Sequence, residues 1–430
     1  MRMVKTVGLL SLAGAVVVAG ACRSQSPAGG AEASGGGSVD QASSAEPQIL
    51  LADGHRLAEA RQRVRDQDPS VQRAYQALIR MADEALEAPM LSVTDKPSVP
   101  EGASPNDYVS LSPYWWPNPE TDDGLPYVRR DGEINPERDQ YDMPALDLFG
   151  QSVRWLGFAY YFSGDERYAE AAVQRIEHFL IDPATRMTPR MKYGQFVPGV
   201  SDGRKYGIIE TLRLRWVPDA INLLRESPAM SDEVYEGARR WFGDYAQWLN
   251  TSELGVAERD GPNNHGTWAT AQIAYYAAFA GDQQTVREMA ALVPDRIEAQ
   301  FEDDGGQPEE LARTRAMDYS EFNLRGLTEL AVLAQDVGVD LWNTETESGR
   351  SIRLGYDFML PYMLGEEDWP YQQISQPKHD LYAQSLRRCA IAYNDPRFER
   401  AIKALDHLGD EGRIYLDLLI PLPRPFPAPR

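Results

Sequence analysis

Two short clusters hold groups that could do chemistry together: Asn263-Asn264-His265-Gly266-Thr267-Trp268, and Asp304-Gly305-Gly306-Gln307-Pro308 with Arg313 and Tyr319-Ser320 beyond it. Each lies just ahead of an apolar stretch with helical spacing. Of the five histidines, His265 alone sits among polar groups at a helix entrance. Asn-Asn before a helix also has a structural use as a cap, and a lone histidine can be structural. It is the conjunction of the two clusters that points to catalysis, because together they offer an amide in Asn264, an imidazole in His265, a guanidinium in Arg313 and a phenol in Tyr319.

Those four groups suit β-elimination at a uronate. The proton on C5 is weakly acidic while the neighbouring C6 carboxylate is negative, so an amide donor and a cation must offset the charge of the enolate-like species. Asn264 and Arg313 fit that task, Arg313 by forked contact with carboxylate oxygens. A base must take the C5 proton and an acid must protonate the departing O4, roles that His265 and Tyr319 can divide. Tyrosine, with an ordinary pKa of about 10, needs a nearby positive charge to act as base. Arg313, six positions earlier, is the candidate.

Candidates for holding a substrate are spread more widely. The segment 88–144 is rich in Pro, Gly and aromatics, and long irregular segments are often functional. Its Tyr108, Tyr114, Trp115, Trp116, Tyr127, Arg129 and Arg130 could line a sugar cleft, since aromatic faces stack on pyranose rings; the alternative is an arm packed on helices. Arg204, Lys205, Arg213 and Arg215 surround Gly207, and Lys378-His379 lies further on; either set could contact substrate or simply be solvated charge. Glu258 and Gln307 flank the two clusters and could contact substrate or orient catalytic groups.

Several chemistries are excluded. The histidines are dispersed and Cys389 is solitary in the body of the chain, which leaves no zinc pattern. A Gly-rich phosphate loop and a Gly-x-Ser-x-Gly elbow are both missing. No metal or cofactor is expected. The net charge of −22 argues against nucleic acid as a partner and would repel a polyanion at long range. A substrate carboxylate is nevertheless read locally, and salt screens distant charge beyond about 10 Å. An anionic substrate therefore demands a basic groove in an acidic body.

The elements that must position these groups are helical. Stretches 145–162, 208–224, 232–249, 267–279 and 321–337 place apolar residues at three- and four-residue spacing. Three passages share one pattern: an aromatic-rich helix, then Gly164-Asp165, Gly281-Asp282 or Asn394-Asp395, then a charged amphipathic helix over 166–180, 283–301 or 396–408. Gly or Asn suits a left-handed helix end, and Asp suits the next N-cap. Repeated helical hairpins of this kind fit a solenoid or a toroid.

With 430 residues, 43% of them apolar, the chain can bury its core without staples. Residues 1–22 read as an export leader, with Arg2 and Lys5 ahead of a short apolar run. The run Val18-Ala19-Gly20-Ala21-Cys22 is similar to a bacterial lipoprotein box, although Ala19 stands where leucine is usual; an ordinary leader cut nearby is the alternative. Residues 23–48 are Gly, Ser, Ala, Pro and Gln, the composition of a flexible tether, so residues 49–430 form the single catalytic domain. Export to the periplasm or outer membrane is expected, with membrane attachment through a lipidated Cys22 and no intramolecular disulfide.

The chain resembles the alginate lyase superfamily that includes polysaccharide lyase families 5 and 38. The resemblance runs in order over residues 107–342. It is carried by Tyr108-Val109-Ser110-Leu111-Ser112-Pro113-Tyr114-Trp115-Trp116-Pro117, by Pro126-Tyr127-Val128-Arg129-Arg130-Asp131-Gly132 with Asn135-Pro136, and by Gly207-Ile208-Ile209-Glu210-Thr211. The remaining matches are residues 263–268, 304–314, Asp318-Tyr319-Ser320 and Phe322-Asn323-Leu324. The resemblance implies an all-α fold, an (α/α) toroid or incomplete barrel of helical hairpins, with catalytic roles at Asn264, His265, Arg313 and Tyr319. In such enzymes the tyrosine is the acid and, for some uronates, also the base. Mannuronate and glucuronate present the C5 proton and O4 on one side; guluronate and iduronate present them on opposite sides, which would make His265 the base.

Two rivals set the terms of comparison. A glycoside hydrolase would need a carboxylate pair, with candidates among Asp260, Asp304, Glu309 and Glu310. A non-catalytic glycan-binding lipoprotein would need the four-residue set to be broken. Among uronic-acid polymers alginate is the expected substrate, with glucuronan or another polyuronate as the alternative.

Overall fold

The computed structural model describes residues 46–130, 133–405 and 408–423. The leader, Cys22 and the linker up to residue 45 lie outside the described residues, as does Asp131-Gly132. Four helices, Met143–Ser163, Asn264–Ala280, Ala316–Gln335 and His379–Tyr393, bury most of their length. Helices Pro69–Glu87, Glu166–Ile176, Asp232–Thr251 and Pro396–Ala404 instead keep one apolar stripe. A helix apolar on all sides must lie inside and an amphipathic one outside, which sorts the two sets into inner and outer layers.

Successive helices pack around a ring. Asp232–Thr251 lies on Asn264–Ala280, which lies on Ala316–Gln335, then His379–Tyr393, Asp410–Ile414, Pro69–Glu87 and Met143–Ser163. A tight helical stretch, Lys205–Leu214, touches both Met143–Ser163 and Asn264–Ala280 and completes the circuit. The result is an (α/α) toroid of helical hairpins. The three expected turns are present: Gly164, Gly281 and Asn394 take left-handed φ values of 75, 87 and 50°. Asp165, Asp282 and Asp395 then cap the next helices through the backbone N–H groups of Arg167, Thr285 and Arg397.

Two expected helices are broken. Residues 208–224 do not form one helix, because the tight stretch ends at Leu214 and Trp216 turns left-handed, with φ 72°, ahead of Val217–Leu223. That backbone is costly for a non-glycine residue. Trp216 is held there by complete burial between the rings of Phe158 and Tyr415, at 5.9 and 5.4 Å. The stretch 283–301 likewise divides into Gln283–Ala291 and Val293–Gln300, where Pro294 starts a new helix.

The segment 88–144 carries short strands and two short tight helical turns, Val93–Asp95 and Pro136–Gln140. Val109–Leu111 pairs in parallel with Tyr193–Phe196, and Trp115–Trp116 pairs antiparallel with Val128–Arg129. Gly207 explains how the Lys205–Leu214 stretch reaches this arm: a Cβ there would lie 2.5 Å from the carbonyl carbon of Gly194. Only two glycines let those backbones cross so closely.

Candidate active site

A cleft of about 1620 Å³ opens where the first turns of Asn264–Ala280 and Ala316–Gln335 face the strand-bearing arm and the Lys205–Leu214 stretch. Ten Arg and Lys residues line it against six Asp and Glu, whereas the whole chain holds 43 against 65. The groove is basic although the body is acidic, as an anionic substrate requires.

Asn263 is the N-cap of its helix, its side chain accepting the N–H of His265, so Asn264 and His265 fall in the first helical turn. The imidazole Nδ1 of His265 lies 2.5 Å from a carboxylate oxygen of buried Glu258. A carboxylate accepts, so Nδ1 carries the proton and Nε2 is the nitrogen left for the cleft. Tyr206 meets the imidazole edge-on at 5.3 Å and fixes its second face.

Asn264 is fully buried and anchored at two points, its backbone N–H and its Nδ2 each donating over 2.7 Å to the two oxygens of Glu310. One Nδ2 hydrogen remains for a ligand. Burial pushes the Glu310 carboxyl above its ordinary range, against the pull of Asn264's two hydrogen bonds and of Arg313 and His265. Arg313 stacks on Tyr319, its guanidinium carbon 3.9 Å from the ring centroid, so the cation and the phenol do meet in space.

The opposite wall is tied together by Glu210, which accepts from Tyr108 at 2.8 Å, Ser110 at 2.6 Å and Gln195 at 3.3 Å. Desolvation raises its carboxyl above the ordinary range, with those hydrogen bonds opposing. Arg204 reaches Ser112 at 3.3 Å and lies over the Tyr206 ring at 4.9 Å. At the far end Asp318 accepts from Tyr382 at 2.7 Å, from Arg315 at 2.7 Å and from the backbone of Lys378 at 3.1 Å. Burial alone would raise its carboxyl, yet these donors hold it below the usual range.

The cleft thus brings together Asn264, His265, Arg313 and Tyr319 with Tyr114, Trp115, Arg129, Arg204, Arg215 and Lys378. Five expected contacts need correction. Arg215 lines the cleft, but its guanidinium is spent on Glu329 and on Gln384 at 2.8 Å. Trp116 donates to the Glu133 carbonyl at 3.0 Å, under Arg130, and does not line the cleft. Lys205 is tied to the Ala257 carbonyl at 3.0 Å. Glu258 stands behind His265, and buried Gln307 bridges the Ser320 carbonyl and Asn323. Glu258 and Gln307 are therefore orienting groups, not contacts.

Tyr206, Glu210 and Glu310 were not picked out for these positions by spacing. Glu310 is 46 positions from Asn264, and nothing local marks that contact. The hydrolase carboxylates are accounted for otherwise: Asp260 pairs with Arg259 at 2.9 Å, Asp304 accepts the Gly306 N–H at 2.8 Å, and Glu310 faces Asn264. None of Asp260, Asp304, Glu309 and Glu310 lines the cleft.

Comparison with known proteins bears on the same region. The sequence profile of the alginate lyase family matches residues 92–369. An alginate lyase crystal structure from Bacteroides ovatus superposes with a TM-score of 0.81 at 33% identity, covering 88% of this chain and 100% of that one. A histidine-to-alanine variant of alginate lyase A1-III, complexed with a tetrasaccharide, gives 0.56 at 16% identity over 91% of this chain and 100% of its own. Alginate lyase A1-III from Sphingomonas species A1 gives 0.53 at 15% identity over 87% and 98%. These last two speak for the fold alone. No curated protein sequence matches the chain.

Proposed function

The chain belongs to the alginate lyase family and is a polysaccharide lyase, and from that premise we propose that it cleaves alginate by β-elimination, leaving 4,5-unsaturated uronate ends. The observation that carries this reading is the gathering of Asn264, His265, Arg313 and Tyr319 on one wall of a basic cleft. The remaining Nδ2 hydrogen of Asn264 and the Arg313 guanidinium offset charge on the C6 carboxylate as the C5 proton leaves. The electron pair of the C5–H bond forms the C4–C5 double bond, the C4–O4 bond breaks, and O4 takes a proton.

On mannuronate, Tyr319 serves as base and then acid, because the C5 proton and O4 lie on one side. On guluronate, Nε2 of His265 takes the proton and Tyr319 delivers one to O4. Glucuronan or another polyuronate is the alternative substrate, since the same four groups read the carboxylate and not the remaining ring hydroxyls. Export, and attachment to a membrane through a lipidated Cys22, form part of this proposal; unchanged membrane fractionation of Cys22→Ser would remove the attachment.

Tyr319→Phe is the test. It should abolish formation of unsaturated ends, seen as ultraviolet absorbance, on polymannuronate, polyguluronate and glucuronan, while oligouronate binding survives. Full activity in that variant takes the tyrosine out of the mechanism, and saturated ends from the parent enzyme would mean hydrolysis.

A further inference from the structure

We propose that Arg325 receives the carboxylate of a second uronate unit, one that is not being cleaved, and so forms an anionic subsite deep in the cleft. The inference rests on the polyuronate reading above. Arg325 stands six residues beyond Tyr319 on the same helix, roughly 9 Å further along its axis. That is beyond the sugar whose C5 proton Tyr319 addresses.

Arg325 is 4% exposed yet lines the cleft. Its guanidinium lies 5.5 Å from the Trp268 ring and 5.2 Å from that of Phe322. Nε and Nη1 are enclosed without a hydrogen-bond partner among the described residues. Neither acid one turn away bonds to it: Glu321 accepts from Ser385 at 2.7 Å and meets Arg325 only through the attraction of its charge, and Glu329 holds Arg215 and, at 3.3 Å, Arg388.

A buried guanidinium without an acceptor is costly, because water has been removed and the nearby charge of Glu321 offsets the loss without a hydrogen bond. Ring faces return only part of that cost. An incoming carboxylate would return the rest, since its two oxygens match the planar donor edge. A neutral hydroxyl would not balance the charge. Lys378 lies in the same part of the cleft: burial first, then Arg315 and, beyond the opposing pull of Asp318, Arg325 hold its ammonium below the ordinary range. Asp318 answers Arg315 at 2.7 Å, which leaves Arg325 as the cation without a bonded acceptor among the described residues.

The test uses calorimetric titration of a Tyr319→Phe parent, which does not consume its ligand, and of the same protein carrying Arg325→Met. The ligands are a tetrauronate and its analogue with carboxyl groups reduced to alcohols. Arg325→Met should weaken tetrauronate binding by about 10- to 100-fold, the loss of one charge-assisted contact. Binding of the reduced analogue should be unchanged, whether or not the thermal midpoint moves as buried Glu321 loses a neighbouring cation. Tetrauronate binding within about threefold of the parent overturns the subsite. So does a lower midpoint with equal loss for both ligands, which would make Arg325 a support for Trp268 and Phe322. A parent that binds no tetrauronate, with no unsaturated ends from the wild type, overturns the polyuronate reading and the subsite with it.

Discussion

Replacing Glu258 by alanine puts the proposed role of His265 to a direct test. Glu258 is 1% exposed on helix Glu253–Arg259, and its oxygen lies 2.5 Å from Nδ1 of His265. Because the carboxylate accepts, it selects the Nδ1–H tautomer and the ring orientation that turns Nε2 to the cleft. A charge-assisted hydrogen bond is worth about 1.5–3 kcal/mol. At about 1.4 kcal/mol per factor of ten, that is about a 10- to 150-fold bias toward the form able to act as base. Glu258→Ala should therefore lower kcat on polyguluronate by that factor, read as the initial rate of ultraviolet absorbance at saturating substrate. On polymannuronate, where Tyr319 can perform both proton transfers, the loss should be much smaller. Glu258→Gln, whose amide oxygen still accepts, should fall between. A thermal melt recorded alongside separates lost orientation from lost fold. Equal losses on the two polymers, or polyguluronate activity within about threefold of wild type, would refute the assignment of His265 as the guluronate base.

Glu310→Ala leaves a buried N–H and amide of Asn264 without acceptors, and should lower unfolding free energy by about 3–5 kcal/mol in denaturant melts, whereas Glu310→Gln, which keeps one acceptor and turns its NH2 toward the other donor, should recover only part of that loss. Wild-type stability in Glu310→Ala would show that the Glu310 contact carries no weight. Asp219, completely buried, has its carboxyl pushed up to about 6 by burial, against the Leu50 N–H and the Tyr275 hydroxyl at 2.6 Å. Between about pH 4 and 6 the folded state then holds more protons than the unfolded chain, so stability falls as pH rises through that window, by at most about 3 kcal/mol from this group. Asp219→Asn should flatten that slope, and an unaltered slope in urea melts across the window would count against the carboxyl.

Legibility followed distance along the chain. The hairpin turns could be read because Gly164-Asp165, Gly281-Asp282 and Asn394-Asp395 state both the helix end and the next cap in two adjacent residues. Asn264 and His265 could be read because a polar pair at a helix entrance is a local event. The break at Trp216 could not, because the left-handed turn is imposed by packing against Phe158 and Tyr415 and opposed by local preference. Glu310 under Asn264 and Arg388 behind Glu329 could not either, since each pair joins distant segments. The error over Arg215 has the same origin. An arginine in a basic stretch looks solvated or ligand-seeking until the acid that claims it, 114 residues away, is in place.

The closure of the ring has a consequence for how the protein comes into being. Helix Pro69–Glu87 finds its neighbour in Asp410–Ile414, and Arg80 meets Asp410 at 2.6 Å. During vectorial synthesis, residues 69–87 leave the ribosome with one flank uncovered and keep it so until more than three hundred further residues have followed. Lys378 and Tyr382 are also made late, so the cleft lacks its far wall for most of translation. A nascent chain stalled before residue 410 would hold the four reactive groups, yet carry an open ring and a sticky helix face, a substrate for chaperones more than for sugar.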